Sequence, residues 1–230
     1  MPLPKVSIVI NTLNEVPQYL RESVRSCLKQ VGVEPQVILS TIAGDPAVAY
    51  GKALGLDVVI SDRKGIYYQL NNALSAVRGE WFFCFSGNDV LLPNKSINEI
   101  TRCVGGKRVC YSDFSYVDAN LVVTDRFVAR EWSLARHLTG NFVYDDATMT
   151  RATLDEFKPF REGYGNFAYW DFWLRVAEKY PNAFAYCPKP TLLYRKLATS
   201  QHTQRKSSKK LRRQYRLDRN TMLAAHGVKA

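Results

Sequence analysis

The chain has 230 residues and a net charge of +11; 46% of its residues are hydrophobic and 12% are aromatic. This length and composition suffice for one domain with a substantial core and a C-terminal extension. They exclude a membrane-spanning segment, because no apolar run reaches about 18 residues. The N-terminal residues lack the basic and apolar regions of a signal peptide, and the five cysteines are scattered without a CxxC pair. We therefore expect reduced thiols in a cytoplasmic protein.

The first ninety residues predict alternating strands and helices. Apolar runs typical of buried strands are KVSIVI, PQVILST, LDVVIS and EWFFCF, and the two clear helices lie within NTLNEVPQYLRESVRSCLKQ and GIYYQLNNALSAV. This alternation predicts right-handed βαβ units and a mostly parallel sheet. Ligands of such sheets lie beyond the carboxyl ends of the strands. Residues 11–15, 40–45, 62–65 and 86–89 are therefore expected to meet at one edge.

The second half is less regular. KRVCYSDFSYVDANLVVTD predicts strands around a turn at 118–120, SLARHLTG and RATLDEF predict short helices, and FAYWDFWLRVAEKY predicts an amphipathic helix that ends before Pro181. AFAYCP and TLLYRKL resemble two further strands. A basic segment follows and ends the chain.

The stretch FFCFSGNDVLLP carries a candidate metal site. Its apolar run ends in a small polar loop that contains Asn88 and the single carboxylate of Asp89. Hard divalent cations prefer oxygen ligands, and a strand that delivers such ligands into a loop is typical of metal–phosphate sites.

Five segments together resemble the inverting family 2 glycosyltransferases of bacterial polysaccharide biosynthesis. They are VSIVINTLNE, KGIYYQLNNALSAVRGEWFFCFSGNDVLLP, VCYSDFSYVDANLVV, WDFWLRVAEKYP and LLYRKLATSQH. The resemblance extends over about residues 6–202. It implies an α/β GT-A fold, the Rossmann-like fold of nucleotide-diphospho-sugar transferases, over residues 1–203. Residues 204–230 would then form a basic helical extension.

The resemblance implies a nucleotide-sugar donor and residues that bind it. Ser40 stands where relatives have an aspartate that recognises the base, and Asn11 replaces a proline. Asp62 lies one position before the usual acidic residue. The positions carried over are Thr12, Asn14, Glu15, Asp62, Lys64, Asn71 and Arg195.

The resemblance also implies a divalent metal, Mg²⁺ or Mn²⁺, held by Asn88, Asp89 and His202. Ser86 and Asn88 replace acidic residues of the relatives' metal loop. The metal is therefore expected to bind weakly or only together with the nucleotide. The alternative is that Lys64 or Arg195 neutralises the phosphates.

The catalytic base of the relatives is an aspartate at the position of Tyr169, and a tyrosine with a pKa near ~10 is a poor base. Asp171, Asp145 and Asp146 remain as candidates. Each also has a structural interpretation, because Asp171 could cap its helix and the other two could lie in an exposed acidic turn.

The basic segment at 205–219 contains eight basic residues and one acidic residue, a net +7 of the chain's +11. It is interpreted as a solvated helix face or as a peripheral contact with an anionic membrane, in which Leu211, Tyr215 and Met222 would lie at the interface. We do not expect nucleic-acid binding, because no recognition motif accompanies the charge.

These features predict an enzyme that transfers a sugar, with inversion, from a nucleotide-sugar donor to a saccharide or lipid-linked acceptor. The alternative is a catalytically weakened GT-A domain that binds a nucleotide, a sugar or a partner. The substitutions at Ser40, Ser86, Asn88 and Tyr169 favour this alternative.

Overall fold

A computed structural model describes residues 2–197 and 208–228 of the chain. Within them lies a nine-stranded sheet of order β3-β2-β1-β4-β8-β6-β9-β5, with β7 paired to β6. The strands are β1 (Lys5–Asn11), β2 (Glu34–Ile42), β3 (Asp57–Ser61), β4 (Trp81–Ser86), β5 (Val90–Leu91), β6 (Val109–Val117), β7 (Val123–Phe127), β8 (Thr148–Thr150) and β9 (Phe184–Arg195). The helices are α1 (Pro17–Leu28), α2 (Pro46–Ala53), α3 (Ile66–Ala73), α4 (Lys95–Ile100), α5 (Leu134–Thr139), α6 (Arg151–Phe157), α7 (Ala168–Lys179) and α8 (Lys209–Ala225).

The first half of the sheet is parallel, as predicted. β1 pairs with β2 on one side and with β4 on the other, so that Ile8 lies opposite both Val37 and Phe83. Ile8 and Val9 point to opposite faces and are both fully buried, in two separate core clusters. Burial on both faces explains why β1 is a continuous run of β-branched residues. The mostly parallel α/β arrangement expected for this half from the sequence is therefore present.

The second half of the sheet is mixed. The short strand β8 lies antiparallel between β4 and β6, whereas β6 and β9 are parallel. The sequence predicted two strands where the structure has β9 alone. Pro188 and Pro190 supply no N–H to the ladder. The register shifts there, from Ser112 opposite Cys187 to Asp113 opposite Pro190, and the strand continues.

The C-terminal helix α8 packs against the domain. Met222 and Leu223 are buried in a cluster with Phe167, Trp170 and Leu174. The ring of Tyr215 lies 4.4 Å from that of Phe167.

This packing corrects the proposed membrane-facing stripe. Tyr215 and Met222 face the protein, whereas Leu211 is 43% exposed. None of the helices in the described ranges combines the length and the apolar character needed to cross a bilayer.

Candidate functional site

The loops after β1, β2 and β4 meet at the predicted edge of the sheet. The Thr12 N–H donates to the Ser40 carbonyl at 3.0 Å, and the Gly87 N–H donates to the Asn11 carbonyl at 2.9 Å. A Cβ atom at Gly87 would lie only 3.0 Å from Cβ of Thr12. Glycine thus allows the loop that carries Asn88 and Asp89 to lie directly against the end of β1.

Asp89 is buried at the centre of this edge. Its Oδ1 accepts a hydrogen bond of 2.7 Å from the backbone N–H of Arg195. Burial raises the pKa of Asp89 to about 8; the bond from Arg195 opposes this shift, and the charges of Asp146 and Glu15 add to it. A carboxyl group in this setting is ionised at neutral pH chiefly when a cation is beside it.

Arg195 ends β9 and is almost fully buried. Its Nη2 contacts Oε2 of Glu22 at 2.5 Å, and its guanidinium carbon lies 3.9 Å from the centre of the Tyr19 ring. Among the described residues, its Nε and Nη1 have no hydrogen-bond partner. Buried donors without partners cost about 1–3 kcal/mol each, and more when they are charged, so this guanidinium is suited to an anionic ligand.

The loop after β1 is held by Asp45, which follows β2. Oδ1 of Asp45 caps α2 by accepting from the Ala47 N–H at 2.8 Å, and its Oδ2 accepts from the Asn14 N–H at 2.6 Å. Asn14 lies in the left-handed region, with φ 50°. Glu15 follows it, half-buried, and burial raises its pKa against the opposing effects of the Val16 N–H and Arg195. Asp45 thus fixes the loop that presents Asn14 and Glu15.

Gln69 on α3 joins the loop after β1 to the loop after β3. Its Nε2 donates to the Thr12 carbonyl at 3.4 Å, and its Oε1 accepts from the Gly65 N–H at 3.3 Å. Lys64 precedes this glycine and is exposed, while Asp62 accepts from the Tyr68 hydroxyl at 2.5 Å. Gln69 was not predicted from the sequence, although a polar residue on the buried side of an amphipathic helix is a signal for such a role.

Two positions taken from the resemblance have structural roles. Asn71 forms a two-bond clamp on the backbone of Phe160: its Nδ2 donates to the carbonyl at 2.8 Å, and its Oδ1 accepts from the N–H at 2.9 Å. One donor and one acceptor of its amide are thus engaged by the backbone, and a contact of Asn71 with the nucleotide sugar stays a prediction. Ser40 is buried and donates to the Gln69 carbonyl at 2.8 Å.

Asp171, predicted as a candidate catalytic base, lies in the interior at the start of α7. Its side chain is fully buried and contacts Arg175 at 2.9 Å, His226 of the segment after α8 at 3.0 Å, and Arg161 at 3.2 Å. These three basic partners, rather than solvent, surround its carboxylate, so its role as a base stays a prediction. Asp171 attaches the C-terminal segment to α7.

Asp146 is also paired. Its Oδ2 lies 3.3 Å from Nζ of Lys95, and its backbone carbonyl accepts from the same nitrogen at 2.7 Å. Lys95 is fully buried and contacts Glu99 at 2.8 Å. Asp146 is therefore a structural residue that fixes the loop before β8.

Asp145, by contrast, is exposed and forms no ion pair with any described residue. Enough protein surrounds it that partial loss of hydration raises its pKa to about 7, and the charge of Asp146 adds to this shift.

Tyr169, at the relatives' base position, is a core residue. Its hydroxyl lies 2.5 Å from Sγ of Cys84, and burial raises its pKa well above 10. It therefore cannot act as a base at neutral pH, and Asp145 is left as the accessible carboxylate among the three predicted candidates.

The predicted metal ligands are only partly described. Asn88 and Asp89 adjoin at the end of β4, and His202 lies outside the described residues. Within residues 2–197 and 208–228, no group of three His, Cys, Asp or Glu side chains is arranged to hold a metal ion. The protein offers two oxygen ligands here, and a cation would need the rest from a bound ligand.

No protein-family model and no curated protein matches this sequence. Solved structures of S. aureus TarS, a glycosyltransferase, do match it. One TarS structure has 17% identity and a TM-score of 0.66, covering 84% of this chain and 37% of TarS. TarS 1-349 in complex with UDP has the same identity, TM-score and coverage of this chain, with 61% of its own chain covered.

TarS 1-349 in complex with UDP-GlcNAc has 17% identity and a TM-score of 0.68, covering 96% of this chain and 71% of its own. The chain thus spans less than two thirds of the first two TarS chains. The likeness establishes a glycosyltransferase fold.

Proposed function

We propose that the protein is an inverting glycosyltransferase that transfers a sugar from a nucleotide-sugar donor to a saccharide or lipid-linked acceptor in polysaccharide biosynthesis. The observation that carries this proposal is the buried guanidinium of Arg195, with Nε and Nη1 unpartnered among the described residues, beside Asp89. A diphosphate at this edge would supply the acceptors that these donors lack. The binding of UDP and of UDP-GlcNAc by TarS makes a uridine donor the first to test.

The proposed reaction is a direct displacement. The acceptor oxygen forms a bond to the anomeric carbon while the bond from that carbon to the diphosphate breaks on the opposite face. Asp145 takes the proton of the acceptor hydroxyl, and its pKa of about 7 suits a general base at neutral pH. Arg195 stabilises the charge that develops on the departing diphosphate.

A divalent cation is proposed to bind only together with the diphosphate. Asn88 and Asp89 would hold it, and it would neutralise part of the phosphate charge. Asp89 suits this role because it is buried and, within the described parts of the chain, forms no ion pair with a basic side chain.

A second candidate function is a domain that binds the donor without efficient transfer. Tyr169 favours it, because the usual base position is filled by a buried core residue. Hydrolysis of UDP-GlcNAc without an acceptor separates the two candidates: measurable turnover supports the enzyme, and binding without hydrolysis or transfer supports the binding domain.

Contact with an anionic membrane is proposed through the basic face of α8. Lys209, Lys210, Arg213 and Arg216 are exposed, whereas the apolar residues of the helix pack on the domain. The contact would therefore be electrostatic, at about 1 kcal/mol for each basic residue near the surface. It would bring the enzyme to lipid-linked acceptors at the cytoplasmic face.

Replacement of Arg195 by lysine is expected to lower the affinity for UDP about 10- to 100-fold, because the charge remains but the planar pair of donors is lost. Isothermal titration calorimetry measures the change, and a melting curve shows that the variant is folded. Arg21→Gln, an exposed arginine on α1, is the matched control and should bind UDP like the wild type. An Arg195→Lys variant with unchanged UDP affinity would remove Arg195 from the donor site.

Replacement of Asp89 by alanine is expected to abolish the increase in UDP affinity that Mn²⁺ produces. The physical reason is the loss of the one carboxylate in the loop. The measurement is a UDP titration with and without Mn²⁺ on both proteins. If the variant keeps the full Mn²⁺ effect, Asp89 does not hold the metal.

A further inference from the structure

A cavity of about 360 Å³ lies between the end of β7 and the C-terminal end of α5. None of the residues assigned to the donor site lines it. Its wall includes Phe127, Arg130, Arg136, Asn141 and Phe142, together with the backbone at 139–140.

The charged side chains that line this cavity are all positive. No aspartate or glutamate lines it, and neither Arg130 nor Arg136 forms an ion pair within residues 2–197 and 208–228. Glu131 follows Arg130 in sequence but is not part of the wall. Arg219 on α8 adds a third cation at the rim, where its Nη2 donates to the Thr139 carbonyl at 3.2 Å. Three guanidinium groups therefore lie around one concave surface that lacks a carboxylate.

The cavity lies close along the chain to the loop that carries Asp145. Phe142 precedes Asp145 by three residues, which limits the distance between their Cα atoms to about 11 Å. The ring of Phe127, which also lines the cavity, lies 4.9 Å from that of Tyr144, the residue before Asp145. One oligosaccharide of a few sugar units is long enough to reach both the cavity and the Asp145 carboxylate.

We propose that this cavity binds an acidic group of the acceptor, so that the acceptor is a saccharide bearing phosphate or carboxylate. The inference rests on the proposed function and specifies its acceptor. The planar fork of arginine matches the oxygens of phosphate and carboxylate, and the partly exposed ring of Phe127 provides apolar surface for a sugar ring. A neutral saccharide would leave the guanidinium groups without counter-charges.

The test is direct binding to the full chain in the absence of donor. Three oligosaccharides of equal length serve as probes: one phosphorylated, one of uronic acids and one neutral. We expect the wild type to bind at least one acidic probe more tightly than the neutral one. Arg130→Gln and Arg136→Gln should each weaken that binding about tenfold, as the loss of a hydrogen bond between charged groups predicts. Arg126→Gln is the matched control, because Arg126 is exposed on β7 and does not line the cavity.

A second variant tests the space itself. Gly140 lies in the wall with an extended backbone, φ −173°, and a Cβ atom there would meet nothing within 4 Å. Gly140→Phe is therefore compatible with the fold and is expected to block acidic probes without a change of charge. Melting curves of all variants establish that they are folded.

The affinity for UDP is measured on the same proteins and is expected to stay constant. Acidic probes that bind all variants equally, or no more tightly than the neutral probe, would overturn the proposal. So would arginine variants that lose binding to vesicles of anionic phospholipid but keep binding to the oligosaccharides, because the cavity would then recognise a membrane. Failure of the donor proposal would look different: UDP and UDP-GlcNAc would not bind the wild type, whereas the acidic probe still would.

Discussion

Replacement of Asp145 by asparagine is expected to reduce sugar transfer about 10²- to 10⁴-fold, the usual contribution of a general base. The affinity for UDP and the melting temperature should remain those of the wild type, because Asp145 is exposed and has no ion-pair partner in the described parts of the chain. The measurement is the initial rate of transfer at saturating donor and acceptor.

The pH dependence follows from the same group. Asp145 must be ionised to accept a proton, and partial loss of hydration, with the charge of Asp146 adding to it, raises its pKa to about 7. The transfer rate of the wild type is therefore expected to rise as the pH increases through about 7 and then to level off. A variant that keeps the wild-type rate and pH profile would exclude Asp145 as the base.

Replacement of Asp171 by asparagine is expected to lower the stability of the fold and to leave the transfer rate of the folded protein unchanged. Removing the carboxylate leaves Arg175 and His226 without their shared buried partner, at a cost of about 3–5 kcal/mol in the free energy of unfolding. The folded fraction should still transfer sugar. Urea denaturation measures the stability, and transfer rates are compared per folded molecule.

Asp155 provides the control for Asp171. It also pairs with two basic residues, Arg151 at 2.7 Å and Lys158 at 2.8 Å, but on the surface. Asp155→Asn is expected to cost less than about 1 kcal/mol. Equal losses in the two variants would show that the contacts of Asp171 are no more than a surface pair.

His226 adds a pH dependence to this attachment. Burial lowers the pKa of His226, but its bonds to Asp171 and Glu178 outweigh that effect and the net shift is upward. Protonated His226 therefore stabilises the fold fully below the unfolded-state pKa of about 6.5, and this contribution is lost as the pH rises through the higher folded-state value.

Much of the fold could be predicted because its first half follows local rules. The β-branched run of β1 indicates burial on both faces, and α1 lies within the segment predicted to be helical and begins at Pro17, a residue suited to the first helical turn. β8 could not be predicted, since three residues carry no periodic signal. β9 was divided in two because prolines usually end strands, whereas pairing with β6 carries the strand past them.

The location of the candidate site could be predicted from the sequence better than the roles of its individual residues. The carboxyl ends of parallel strands meet by geometry alone, so the edge holding Thr12 and Asp89 follows from the strand order. The roles depend on distant partners. Nothing near Asp171 in sequence indicates that its carboxylate forms a hydrogen bond with His226, 55 residues later. Likewise, the clamp of Asn71 on Phe160 spans 89 residues.

The buried pair of Lys95 and Asp146 connects two loops of the candidate site before any substrate binds. Lys95 lies six residues after Asp89 in the same chain segment, and through Asp146 it fixes the neighbour of Asp145. In the proposed displacement, the loop on the diphosphate side, with Asp89, and the loop on the acceptor side, with Asp145, are thus both attached to one short helix, α4. The two binding regions are therefore expected to hold their relative positions before donor or acceptor binds, and the base is expected to reach the acceptor without a domain closure.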